Sequence, residues 1–199
     1  MKKTLLILAL AMFSFANAQK GTILVMGNIG FTSQKQENVD YESTTNVVTF
    51  SPKVGYQFND NWTVGLESSV ENGKTKSTGS ESESNNFSVG SFIRYSKSLG
   101  GIFSAYADLG AGFNNRKQKN YVEDGLSQEE YTSSFKTNGF YIGVMPALFV
   151  NIKNGFGLNF NVGGLNYTFI KNDESNPTEY KTFNFNLGKA FSIGLSKNF

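Results

Sequence analysis

Apolar residues take every second place in eight runs along this chain. The first is Ile23, Val25, Gly27, Ile29, Phe31, with Leu24, Met26, Asn28, Gly30 and Thr32 between. The second is Val48, Phe50, Pro52, Val54, Tyr56, Phe58, set against Thr49, Ser51, Lys53, Gly55 and Gln57. Six more follow, at 62–66, 87–95, 103–113, 140–150, 156–162 and 183–195. Two is the strand period, so each run predicts a strand with one apolar face and one polar or glycine-rich face. The connections alternate too. Residues 34–46, 71–85, 114–135 and 170–181 are polar and read as long loops, whereas 59–61, 97–101 and 153–155 read as short turns.

Such alternation suits a transmembrane barrel, with apolar side chains to lipid and polar ones to the lumen. The predicted fold is all-β, an eight-stranded antiparallel up-and-down transmembrane barrel. An even strand number puts both chain ends on the short-turn side. The last strand must seal against the first, because an unpaired edge in lipid leaves backbone groups unsatisfied. Mean hydropathy is only −0.30, as expected when half of every strand faces inward.

Some positions strain this pattern. Pro52 and Pro146 fall inside strands, where they cannot donate a ladder bond, so a bulge or splayed pairing is expected at each. After Val162 the outward phase jumps to Leu165, Tyr167 and Phe169, which predicts a bulge at Gly163–Gly164. Lys189 falls in the outward phase of the last strand. It either snorkels to the outer headgroups or Gly188 breaks the phase there.

The lumen is where chemistry would reside. Lys53, Glu67, Arg94 and Asp108 occupy inward positions, beside Phe92, Tyr106, Tyr141, Met145 and Phe149. Lys53 lies seven residues before Asp60 and Glu67 seven after it, so a symmetric hairpin sets them opposite each other. Two bases and two acids either form an ion pathway or neutralise one another in a packed plug. An eight-stranded barrel is just wide enough to be filled by its own side chains, which favours the plug.

The amino-terminal stretch has Lys2 and Lys3, an apolar run from Leu5 to Phe15 and a closing Ala16-Asn17-Ala18. That is the layout of a signal peptide over 1–18, too short for a spanning helix. The barrel domain is then 19–199. The whole chain carries 18 basic and 16 acidic residues. Losing Lys2 and Lys3 leaves 16 of each, so no net positive charge attracts nucleic acid. Cysteine and histidine are both absent. That excludes disulfides, thiolate metal sites and histidine bases. No nucleophile or phosphate-loop motif appears, and no cofactor or metal is expected.

The stretch 51–69, "SPKVGYQFNDNWTVGLESS", together with the A-x-A end of the leader and the aromatic last strand, resembles the small outer-membrane β-barrel proteins of bacteria, the OmpX-like and OmpW-like barrels. The resemblance spans the mature chain and implies location in the outer membrane. It also implies that Phe199 and the final strand act as an assembly signal for the barrel-insertion machinery. Phe199 additionally suits a membrane–water interface as an aromatic anchor. It implies no shared catalytic motif. The expected role is non-enzymatic: a monomeric scaffold in outer-membrane lipid whose polar loops meet an extracellular ligand. Tyr121 and Tyr131 in 114–135 are available for such contacts. The alternative is a narrow pore or lateral channel for small solutes, hydrophobic ones included.

Overall fold

The structure, a computed structural model, describes residues 21–39, 41–123, 130–172 and 178–199, and describes backbone alone at 123, 130–132 and 189–191. The expected leader over 1–18, the side chains of Tyr131 and Lys189, and residues 124–129 and 173–177 lie outside that description. Eight antiparallel strands form one closed barrel in chain order. They are β1 (Ile23–Asn38), β2 (Tyr41–Gln57), β3 (Trp62–Ser77), β4 (Ser80–Gly100), β5 (Phe103–Glu123), β6 (Glu130–Lys153), β7 (Phe156–Asn172) and β8 (Glu179–Asn198).

The alternating runs supply the lipid-facing wall. Val64, Leu66, Ile93, Leu109, Ile142 and Leu195 all point outward and are exposed in the isolated chain. Their apolar surface is buried by lipid rather than by a protein core. Aromatic side chains edge this band at both ends, as in membrane barrels generally. At the short-turn end Trp62 and Tyr95 have ring centroids 5.0 Å apart. At the other end Phe140 and Phe169 stack at 5.2 Å.

Two short turns are built from asparagine. The Asn59 side-chain oxygen accepts from the backbone N–H groups of Asn61 and Trp62, each at 2.9 Å. Asn154-Gly155 carries φ of 49° and 75°, the geometry of a tight two-residue hairpin.

The polar connections are not the long loops that their composition suggests. A strand needs ~9–11 residues to cross the hydrocarbon, but these strands run 16 to 24 residues. The ladder continues through the polar stretches, so β1 and β2 still pair at Asn38–Tyr41, and β3 and β4 at Ser77–Ser80. The β5–β6 hairpin is paired up to Glu123–Glu130. Above the lipid both faces meet water, so apolar alternation stops while Ser and Thr keep the backbone extended. These are ladder-bonded hairpin arms. Ion pairs join neighbouring strands on them: Lys74 bonds Glu81 and lies 3.4 Å from Glu83.

The strained positions resolve individually. At Pro52 the β2–β3 ladder lapses between Phe50–Val70 and Lys53–Glu67 without changing register. Ser51 and Ser69 bridge the lapse through their hydroxyls at 2.8 Å. At Pro146 there is a true register shift. Val144 faces Leu165 and Ala147 faces Asn161, so β7 carries one extra residue. That bulge is the phase jump at Gly163–Gly164, and Gly163 has φ of 89°. The proline without a donor and the bulge without a partner sit opposite each other. In β8, Ser192 faces Asn161 and Leu187 faces Gly163, so β8 takes five steps where β7 takes two. Gly188, with φ of 75°, lies in that excursion.

Candidate functional site

Inward residues near the short-turn end fill the barrel. Phe92, at 2% exposure, packs with Leu24 and Met26. Two glycines make room for its ring. A Cβ on Gly65 would stand 2.2 Å from the Val54 carbonyl oxygen and 2.8 Å from Phe92. One on Gly55 would meet Thr63 at 2.8 Å and Phe92 at 3.1 Å.

The four charged lumen residues form one connected cluster around Phe92 and Met26: Met26 is the ladder partner of Lys53, and Arg94 Nη2 donates to Met26 Sδ at 3.4 Å. Lys53 and Glu67 are ladder partners across β2 and β3, and Lys53 Nζ lies 2.7 Å from Glu67 Oε2. Arg94 and Asp108 are ladder partners across β4 and β5. Their contact is bidentate: Arg94 Nε donates to Asp108 Oδ1 at 2.6 Å, and Nη2 to Oδ2 at 2.9 Å. Lys53 Nζ also reaches Asp108 Oδ2 at 3.1 Å, joining the two pairs across the lumen. All four side chains are at most 10% exposed. Charge-assisted, bidentate bonds of this kind are the strong ones.

Neighbours satisfy the remaining valences. Tyr141 donates its hydroxyl to Glu67 Oε1 at 2.8 Å. The Arg94 guanidinium lies 3.7 Å from the Tyr106 ring centroid, and Lys53 Nζ sits 5.1 Å from that of Phe92. A cation over an aromatic face is stabilised by the ring quadrupole. The cluster is neutral as a unit: two cations, two carboxylates. Composition and inward phase flag these four residues and set Phe92, Tyr106 and Tyr141 beside them; which hydroxyl or ring meets which charge has no signature in the sequence.

Above the cluster the lumen opens into a cavity of about 540 Å³. Lys53, Glu67, Asp108 and Tyr141 line its lower part, and glycines, amides and hydroxyls line its walls. Among the described residues no group of His, Cys, Asp or Glu side chains is arranged to hold a metal ion.

Phe199 ends the seam that closes the barrel. Ile23 N–H donates to the Phe199 carbonyl at 3.2 Å, and Phe199 N–H donates to the Ile23 carbonyl at 3.0 Å. Its ring is exposed at 61% on the short-turn rim, with Lys197 Nζ 5.6 Å from its centroid.

Comparison with solved structures gives the same architecture. OprG, an outer membrane protein of Pseudomonas aeruginosa, aligns at TM-score 0.51 and 14% identity over 90% of this chain and 96% of that one. A major outer membrane protein of Thermus thermophilus aligns at TM-score 0.53 and 11% identity, covering 90% of this chain and 99% of its own. The translocator domain of the autotransporter NalP from Neisseria meningitidis aligns at TM-score 0.50 and 14% identity. It covers 92% of this chain, which spans only 65% of that domain. At these identities the likeness speaks for fold alone. No curated protein matches the chain. Residues 4–191 match the family described as outer membrane protein beta-barrel domain, and the chain belongs to that family of outer-membrane proteins.

Proposed function

We propose that this protein is a non-enzymatic, non-conducting barrel that anchors polar hairpin arms at the outer membrane for contact with an extracellular partner. The observation that carries this reading is the neutral ion-paired cluster packed against Phe92 and Met26. It fills the lumen where a through-pore would need water. Beyond the lipid band the β5–β6 arm keeps ten further rungs, from Asn114–Gly139 to Glu123–Glu130. At ~3.3 Å per residue this is an arm of roughly 30 Å. Tyr121 lies within it as a ladder partner of Thr132.

The absence of histidine and of any nucleophile motif supports a role without catalysis. Lipid is the constant partner. The barrel-assembly machinery is the partner during biogenesis, with Phe199 at the strand end it would read. A barrel closed in chain order needs no second subunit to complete its sheet.

The experiment is surface labelling of intact cells with a membrane-impermeant amine reagent. Lys35, Lys74 and Lys136 on the arms should react, while Lys97 and Lys153 near the short turns should not. Labelling of Lys97 and Lys153 instead would invert the barrel and end the proposal.

A further inference from the structure

We propose that the cavity above the cluster is a blind binding site for a neutral pyranose sugar, with the Tyr141 ring as its platform. The site stands apart from whatever the arms contact.

One ladder row builds the platform. Tyr141, Gly112, Gly90 and Glu67 are successive partners across β6, β5, β4 and β3. The two glycines leave the inner wall bare, and the Tyr141 side chain lies along it. A Cβ on Gly112 would stand 2.9 Å from Tyr141 Cε1, and one on Gly90 would stand 2.5 Å from the Tyr141 hydroxyl oxygen. At the far end of the row that hydroxyl donates to Glu67 Oε1 at 2.8 Å. The ring is therefore held at both ends, against the wall, with one face on the glycines. It is half-buried, and the rest of its surface lines the cavity. The face of an aromatic ring is electronegative, which suits the C–H face of a sugar ring laid upon it.

Polar groups stand on both sides of this platform. On the floor side Lys53, Glu67 and Asp108 line the cavity. With Arg94 behind Asp108 their charges balance, so the site selects no net charge. Their carboxylate oxygens remain acceptors for hydroxyl protons. On the arm side stand Ser51, Ser69, Ser88 and Asn114, all in the inward phase. They lie two residues further along their strands, hence roughly 7 Å away at ~3.4 Å per residue. Ser69 and Ser88 are ladder partners, as are Ser88 and Asn114. Across the lumen Asn28 lines the opposite wall. It stands at the last rung of the short β1–β8 ladder, which runs from Leu24–Asn198 to Asn28–Gly194.

This combination selects the ligand. A sugar hydroxyl both donates and accepts, so its rim can meet carboxylates, serine hydroxyls and amides together. A planar aromatic ligand would cover the ring but leave many of those groups unpaired, at a cost in affinity. A hydrocarbon would leave all of them unpaired. About 540 Å³ lies within the ~300–1,000 Å³ of small-ligand pockets. The cluster fills the floor, so the sugar enters and leaves by the arm end.

The test uses the full barrel in lipid nanodiscs, free of glycosidic detergent, observed by NMR during titration with methyl glucopyranoside. Saturable amide shifts should appear at Ser51, Gly90, Gly112 and Tyr141. Nuclear Overhauser contacts should join the sugar C–H protons to the Tyr141 ring protons. Tyr141→Leu removes the platform and should weaken binding about tenfold or more, whereas Tyr141→Phe keeps the face and should keep binding. If Tyr141→Leu fails to insert, the ring contacts in the unmodified protein decide. Shifts that do not saturate, or that persist undiminished in Tyr141→Leu, would overturn the site. Tighter binding of glucuronate than of methyl glucopyranoside would overturn its neutrality. A saturable response to adenine with none to the sugar would give the ring to a planar aromatic ligand instead.

Discussion

Asp108 is the hub of the lumen cluster, and its replacement by Ala is the sharpest perturbation available. Asp108 accepts two hydrogen bonds from Arg94 and one from Lys53. Removing it leaves two buried cations with Glu67 as their remaining acid. Breaking a buried pair by deleting one partner costs about 3–5 kcal/mol, because the other charge stays buried and uncompensated. Glu67→Ala should cost less, about 1–3 kcal/mol. Lys53 then keeps Asp108, and the chief loss is one acceptor shared by Lys53 and Tyr141. The double change Lys53→Met with Glu67→Gln should be milder than the Asp108 change. It removes one base and one acid together, leaves Arg94–Asp108 intact, and keeps an oxygen for the Tyr141 hydroxyl. Urea unfolding in lipid vesicles, followed through Trp62, the chain's one tryptophan, gives the three values. Equal losses for Asp108→Ala and the double variant would show that uncompensated charge does not set the cost.

Gly65→Ala should destabilise by about 1–3 kcal/mol through overpacking, because its Cβ would run into the Val54 carbonyl; a folding midpoint equal to wild type would contradict that. Gly110→Ala should destabilise as well, because its Cβ would stand 2.5 Å from Glu67 Oε1, the oxygen that Tyr141 holds. Deleting Phe199 removes the two hydrogen bonds that finish a short seam, and membrane levels should fall more than the stability of barrels already inserted. Equal levels in membrane fractions would defeat that expectation. On the β3–β4 arm, the hydrogen bond from Lys74 holds the Glu81 carboxyl below its ordinary value. Its contribution is present above the unfolded carboxylate pKa of ~4.3 and is lost as pH falls through the lower folded value. Amide protection of Thr75 and Glu83 should therefore drop in acid below that range and stay flat from neutral pH down to it.

The lipid-facing half of each strand was legible because lipid imposes strict alternation on one face. The strand ends were not, because arms wet on both faces lose that alternation while keeping their ladders; residues 34–38 and 41–46, and 71–77 and 80–85, are paired, not looped. Composition hides this, since Ser, Thr and Asn serve a loop and a wet strand equally well. The count around Asp60 sets Lys53 opposite Glu67, a register the ladder has. It survives because Pro52 splays the pairing without shifting it, whereas the Pro146 region does shift. The link from Lys53 to Asp108 was not legible, because it crosses the lumen between strands that are not neighbours. Nor was the short β1–β8 seam. It depends on how three extra residues near Gly188 are absorbed; Lys189 in the outward phase marks the place, but a period-two pattern that keeps its phase on both sides does not give their number.

A lumen filled by a neutral cluster should not pass ions. Single-channel recording of the reconstituted wild-type protein in a planar bilayer puts that to the proof. The wild type should be silent, and openings should appear in Asp108→Ala. Steady ohmic conductance from the wild type, unchanged in that variant, would mean that the cluster does not close the barrel.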